Sequence, residues 1–240
     1  MRYYYGEHEA AYRRLRENGM SQWSDLFGET ETFDGFPNRG FLEDVLARLE
    51  LPSGREVEAL EYGCGTGPAA CFLAARGFRV DAVDLIPEAI ALARRFAQER
   101  GVEIAFGVQD ICALADEPVS KRYDLIVDSY CLQSIVTDAD RARVFAAVRA
   151  RLKDKGYYLV STAMYEPERS YEGGFRYDEV TGICYQASSE AAQDAVEIDG
   201  VWYVPHRRHL SATALRDELE RAGLHVVSQE EGDVVCTRNS

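Results

Sequence analysis

The sequence predicts a doubly wound α/β fold: a mostly parallel, seven-stranded sheet whose last strand runs antiparallel. Three observations carry that prediction. Short β-branched runs alternate with amphipathic segments from residue 57 to residue 164. A glycine turn, Gly63-Cys64-Gly65-Thr66-Gly67, separates the first strand from the first helix of this series. Acidic residues then follow successive strands at Asp84, Asp110 and Asp128.

Residues 1–54 read as a helical cap. A helical stretch over 7–18 stops at Gly19, and Trp23, Leu26 and Phe27 supply a small aromatic cluster. Asn38 is the expected N-cap of a helix whose Phe41, Leu42, Val45, Leu46 and Leu49 share one face. Tyr3, Tyr4, Tyr5, Tyr12 and Trp23 have two readings. They pack the cap onto the sheet, or some of them, Tyr5 and Trp23 first, form a lid over a small-molecule pocket.

The core spans residues 55–164. Strands are expected over 57–62, 79–84, 103–108, 125–128 and 157–162, with helices over 68–76, 87–100 and 138–152. Pro87 in the first turn and Gly101 past the end bracket the second of these helices. After Met164 the rhythm changes. Residues 165–199 hold nine acidic residues against Arg169 and Arg176, half of the chain's net charge of −14. Asp199-Gly200 is a type I′ turn signal between Val196-Glu197-Ile198 and Val201-Trp202-Tyr203-Val204. Residues 165–205 therefore read as an insertion over the strand ends, part loop and part hairpin. Residues 206–240 close the sheet: Ser211 caps a helix that Gly223 ends, and Leu210 can staple onto Leu215. Two strands, 224–228 and 234–238, are separated by so few residues that they must pair antiparallel. The whole chain reads as one domain.

Composition narrows the function. Of 240 residues, 46% are hydrophobic and 28% charged, ordinary for a globular protein with a large core. A net charge of −14 with no basic run longer than Arg207-Arg208 argues against a nucleic-acid partner. Six cysteines without a C-x-x-C pair indicate neither a disulfide framework nor a zinc site, and no metal is expected. No apolar run has membrane-spanning length and the first residues have no apolar signal core, so the expectation is a cytoplasmic protein without a membrane partner, monomeric or homodimeric.

The glycine spacing is G-x-G-x-G, not the G-x-G-x-x-G on which a pyrophosphate rests. Glu61, two residues earlier, would repel a pyrophosphate but suits a ligand with an ammonium and a sulfonium. Asp84, 17 residues beyond Gly67, can accept hydrogen bonds from two ribose hydroxyls. Asp110 is placed for an adenine amino group, with the Ile111 N–H facing a ring nitrogen. Glu61, Asp84, Asp110 and Asp128, each closing a strand, would form one acidic rim.

Glu61-Tyr62-Gly63-Cys64-Gly65-Thr66-Gly67, Val83-Asp84, Gln109-Asp110-Ile111 and Tyr123-Asp124-Leu125-Ile126-Val127-Asp128 together resemble the motif series of class I S-adenosylmethionine-dependent methyltransferases, a Rossmann-like family. The resemblance covers about residues 57–164 and implies S-adenosyl-L-methionine as cofactor and a small-molecule acceptor. By this resemblance, Glu61 and Gly63 approach the methionine end, Cys64, Gly65 and Gly67 belong to the same cofactor-binding turn, Asp84 binds the ribose, and Leu85 or Ile86 packs on the adenine. Asp110 and Ile111 read the adenine edge, and Asp128 stands near the amino group and the methyl. Many small-molecule members carry a histidine after the fourth strand, where this chain has Gln133.

Methyl transfer from a sulfonium is an in-line displacement with a neutral leaving group, so positioning and desolvation do most of the work. His206, just after the hairpin, is the expected base, Asp128 near the methyl is the second expected catalytic residue, and Tyr130 and Gln133 are the expected substrate contacts. His206 and His209 lack the third ligand that a metal would need. The tyrosines of the acidic insertion (Tyr165, Tyr171, Tyr177, Tyr185) favour a neutral or cationic acceptor, unless that segment is a solvated face. Two other readings share the sheet: a nicotinamide-dependent oxidoreductase, and an adenosylmethionine-binding protein without methyl transfer.

Overall fold

The computed structural model describes residues 4–20, 32–166, 174–189 and 195–239. Trp23, with Tyr3, Leu26, Phe27 and Tyr171, lies outside the described residues. The central strands are β1 (Glu58–Tyr62), β2 (Arg79–Asp84), β3 (Ile104–Val108), β4 (Tyr123–Ser129), β5 (Leu152–Ser161), β10 (Leu224–Glu230) and β11 (Asp233–Arg238). Their order is β10-β11-β5-β4-β1-β2-β3, with β1 to β5 parallel and β11 antiparallel between β5 and β10. The doubly wound, seven-stranded architecture read from the sequence is thus present.

Both faces of this sheet are covered, which is why its central strands read as near-continuous apolar runs. Leu60, Tyr62, Ile126 and Tyr158 pack toward Val144 and Val148 of α5 (Asp138–Arg151) and Leu215 and Leu219 of α6 (Ala212–Arg221). Ala59, Ala82, Leu125 and Val127 share the other cluster with α2 (Arg39–Leu46), α3 (Pro68–Ala74) and Ile90 of α4 (Pro87–Glu99). The N-terminal helix α1 (Tyr5–Glu17) then lies on α4, with Tyr12 and Leu15 against Ile86, Leu92 and Phe96.

Several local expectations hold and others are corrected. Ser211 caps α6 by accepting from the Ala214 N–H at 3.2 Å. Asn38 does not cap α2: its side chain donates to Ser129 Oγ at 3.1 Å instead, and the helix starts without a side-chain cap. Strand β5 begins directly after α5, earlier than its apolar stretch suggested. Its charged start is held by Lys153, which reaches Glu58 at 2.7 Å and Asp124 at 3.0 Å. A register shift opposite Tyr123 brings Gly156 so close that a Cβ would lie 2.9 Å from the Tyr123 carbonyl.

The insertion is more ordered than a loop with one hairpin. Strands β6 (Phe175–Asp178), β7 (Ile183–Ser188), β8 (Val196–Ile198) and β9 (Val201–Arg208) form a second, antiparallel sheet in the order β6-β7-β9-β8. The β8–β9 turn is the expected one, with Asp199 at φ 53° and Gly200 at φ 77°. Strand β9 runs on through His206 and Arg207, which carries both residues back toward the main sheet.

Candidate active site

A cavity of about 700 Å³ opens at the carboxyl ends of β1, β2 and β4, the crevice in which open α/β sheets bind ligands. Its floor is the turn after β1. Gly63, Gly65 and Gly67 have φ of 59°, 55° and 83°, a region that side chains strongly disfavour. Space forbids a side chain as well: a Cβ on Gly63 would meet Cys131 Sγ at 2.2 Å, and one on Gly65 would meet the Tyr12 hydroxyl at 2.7 Å. Glycine is therefore required here partly by the neighbouring walls.

Glu61 is only 1% exposed, yet it borders the cavity. It accepts from the Ser129 hydroxyl and from the Ala70 N–H in the first turn of α3, while its Oε2 has no hydrogen-bond partner among the described residues. Burial pushes this carboxyl up to about 8, against the pull of those two donors. A buried carboxyl group with an idle oxygen on a ligand cavity suits a cation that arrives with the ligand, which would favour its ionised form. Asn38 belongs to the same chain of bonds, because it donates to the Ser129 oxygen whose hydrogen serves Glu61.

Asp84 borders the cavity beside the glycine turn. Its Oδ2 accepts from Gly65 N–H at 2.9 Å and its Oδ1 from Ile86 N–H at 2.8 Å, which fixes the carboxylate in place. Burial raises its pKa to about 6, with these backbone donors opposing the rise. Asp110 accepts from Cys112 N–H at 2.9 Å and borders the cavity together with Ile111. Cys64, Leu85 and Ile86 complete this end.

The structure does not gather all four carboxylates. In the β1–β4 register Glu61 lies beside Val127 and Tyr62 beside Asp128, so Asp128 shares the face of Tyr62, not that of Glu61. Asp128 is fully buried, accepts from Cys131 N–H at 2.9 Å and Leu132 N–H at 3.2 Å, and is raised by burial to about 7. It braces the loop after β4 from behind the cavity wall. Gly67 is also off the cavity: it precedes α3 and fits against Ala93 and Phe106.

Of the expected acceptor-side residues, Tyr130 and Gln133 border the cavity. Tyr130 holds φ 62°, rare for an aromatic residue, while its N–H donates to the Ser161 carbonyl at 2.8 Å. Gln133 Oε1 accepts from Ala163 N–H at 2.9 Å. Tyr5 is not on the cavity but packs beside the α1–α4 cluster. His206 is not on it either: its Nδ1 faces Glu7 at 3.4 Å and its ring lies 5.2 Å from that of Phe175.

The residues that take those places carry no local signal in the sequence. His8 and Tyr4, with ring centroids 5.8 Å apart, and Tyr12 enter from α1 and the residue before it, and Arg207 enters from β9. Burial, reinforced by the nearby Arg207 charge, lowers His8 to about 4, so its imidazole is neutral at pH 7. Arg207 donates to both oxygens of Glu7, at 2.9 and 3.2 Å, which ties the small sheet to α1.

Comparison with known proteins shows what this part of the chain resembles. Residues 59–156 match the family model described as "Methyltransferase domain". The chain is 32% identical over 142 residues to a ubiquinone biosynthesis O-methyltransferase of Xanthomonas axonopodis pv. citri (strain 306), a match covering 59% of this chain and 56% of that protein. Residues 59–156 are thus similar to a methyltransferase domain. This chain matches little more than half the length of that relative. The fold of the methyltransferase domain and its surroundings is also that of an S-adenosylmethionine-dependent methyltransferase from Clostridium acetobutylicum ATCC 824, with TM-score 0.64 at 16% identity over 95% of this chain and 99% of that one. A 1,6-didemethyltoxoflavin-N1-methyltransferase from Burkholderia thailandensis, solved with 1,6-didemethyltoxoflavin and S-adenosylhomocysteine, aligns with TM-score 0.59 at 18% identity over 98% of this chain and 91% of that one. Among the described residues no helix is long and apolar enough to cross a membrane, and no cluster of three metal-ligating side chains occurs.

Proposed function

We propose that this chain transfers a methyl group from S-adenosyl-L-methionine to an oxygen or nitrogen of a small-molecule acceptor. The observation that carries the proposal is Glu61, a buried carboxyl group with one oxygen that has no partner among the described residues, on the wall of a glycine-floored cavity. An ammonium would give that oxygen its missing partner, and a bare backbone at Gly63 and Gly65 leaves room beside it. Asp84 would accept from the ribose hydroxyls, Asp110 and Ile111 would meet the adenine edge, and Leu85 and Ile86 would lie against the ring. When bound, the cofactor supplies a methyl on a sulfonium, which departs to the acceptor and leaves a neutral thioether.

The chain's own residues then orient the acceptor and exclude water. Tyr130 and Gln133 border the acceptor side, and Tyr4 and Tyr12 cover it from α1. His8, in place of His206, is the group able to take a proton from the acceptor. Held near 4, it is a weak base, which suits an acceptor whose proton is acidic or already lost. Asp128 acts as a brace for the loop that presents Tyr130 and Gln133. In this reading the chain works as one unit, with residues 1–54 and 165–205 covering a core of 55–164 and residues 206–240 closing the sheet.

Relatives named for O- and N-methyl transfer support oxygen or nitrogen as the accepting atom. Incubation with methyl-labelled adenosylmethionine and a panel of phenols, carboxylic acids and amines tests the proposal directly. Labelled product with stoichiometric adenosylhomocysteine is expected. Binding of adenosylhomocysteine with no transfer to any acceptor would favour a binding role; no binding would overturn the cofactor assignment.

A further inference from the structure

The cavity presents opposite charges from different elements. Its acidic side is Glu61, Asp84 and Asp110. Arg207, the only Arg or Lys side chain bordering the cavity among the described residues, acts on Glu7 and His8. Its side chain is 11% exposed, and one nitrogen is also fixed by the His206 carbonyl at 2.8 Å. A guanidinium held this way presents a rigid fork to a carboxylate.

That fork already holds one. Both Glu7 oxygens face it, although Glu7 stands in the first turn of α1 at the rim and is 41% exposed. Burial works to raise Glu7, but His206 and Arg207 outweigh it and hold the carboxyl at about 2. A rim carboxylate on a covering helix can be exchanged for another at modest cost, because it regains water when displaced. The aromatic walls, Tyr4, Phe36 and Tyr130, suit an apolar ring between the two charged ends.

We propose that Arg207 selects the acceptor, recognising a small aromatic molecule that carries a carboxylate, and that Glu7 holds the guanidinium in position until such a molecule replaces it. This rests on the methyl-transfer reading above and names its substrate class. It reverses the preference for a neutral or cationic acceptor suggested by the acidic insertion: Asp178 and Glu197, which belong to that insertion, do not border the cavity.

The test is calorimetric titration with benzoate, phenylacetate and the three hydroxybenzoates, each against its amide, in the presence of saturating adenosylhomocysteine. Adenosylhomocysteine is titrated first into the wild type, Arg207→Gln and Glu7→Gln, so a failed cofactor assignment appears as absent binding in that arm. Expected is binding of at least one carboxylate in preference to its amide. Arg207→Gln should weaken that carboxylate by about tenfold or more, the scale of a lost charge-assisted hydrogen bond, and leave the amide unchanged. Glu7→Gln should tighten it severalfold, because the fork is released. If carboxylates and amides bind alike or not at all while adenosylhomocysteine binds normally, the proposal is overturned. It is equally overturned if both substitutions weaken the carboxylate, the result expected of a clasp that only holds α1 to the small sheet.

Discussion

Cofactor binding should be coupled to proton release at Glu61. The carboxyl is pushed from 4.5 to about 8 by burial, so at pH 7 the protein without ligand holds it protonated. An ammonium needs the ionised form, and ionising a group with pKa about 8 at pH 7 costs about 1.4 kcal/mol. The sign is fixed: lowering the pH increases that cost, so affinity falls. Between pH 6 and 7.5, where the ligand's own α-ammonium is still mainly protonated, the dissociation constant should fall roughly twentyfold. Calorimetry at pH 7 in two buffers of different ionisation enthalpy should report release of about one proton per adenosylhomocysteine bound. Glu61→Gln keeps the shape but cannot ionise. It should bind about tenfold or more weakly at pH 7.5, with the steep pH dependence removed. A dissociation constant independent of pH over this range, with buffer-independent enthalpy in the wild type, would refute the role given to Glu61.

Four further outcomes follow from the same geometry. Gly63→Ala forces a side chain into φ 59° and against Cys131 Sγ, and should lower Tm by roughly 5–15 °C for about 2–4 kcal/mol in differential scanning fluorimetry. Asp84→Asn should weaken adenosylhomocysteine by about tenfold to a hundredfold in titration, since the charge-assisted bonds are lost and only one of the Gly65 and Ile86 donors keeps an acceptor. Asp128→Asn should keep the transfer rate within about fivefold, because the amide oxygen still accepts from Cys131 and Leu132, whereas loss of a catalytic acid or base would cost about a hundredfold or more. Without cofactor, stability should decline from pH 5 to pH 8: Glu61, Asp84 and Asp128 all have folded-state values raised above their unfolded ones, so the folded state binds more protons and loses that advantage as they ionise. Thermal melts across that range, with and without adenosylhomocysteine, check the slope and its reduction by ligand.

Much of this was legible in the residues, and the exceptions share a cause. Alternation between strand and helix periodicities is local, so the seven-stranded sheet and the positions of Glu61, Asp84 and Asp110 could be read directly. The sharp turn at Asp199-Gly200 is local too, and its type came out as its residues demanded. Asp128 is different, because its direction depends on pairing parity: beside Tyr62 instead of Glu61, it turns to the opposite face. Asn38 has the chemistry of a cap, but Ser129 lies within reach of its amide, and that long-range bond wins over the local one. His8 and Arg207 meet across 199 positions of sequence, and no periodicity links the start of α1 with the end of a strand in another sheet. His206 lost its expected place by one residue of strand alternation, since its neighbour Arg207 is the one that reaches the cavity.

The most direct test of the central claim is a thermal melt of the unmodified chain with adenosylmethionine or adenosylhomocysteine at about one hundred times the dissociation constant. Ligand that binds only the folded state then adds about 2.7 kcal/mol, which for a chain of this size raises Tm by roughly 5–10 °C. The same melt of Glu61→Gln at pH 7.5 should need about tenfold more ligand for that shift. An unchanged melting curve at millimolar ligand would contradict the claim that Glu61, Asp84 and the glycine floor form an adenosylmethionine site.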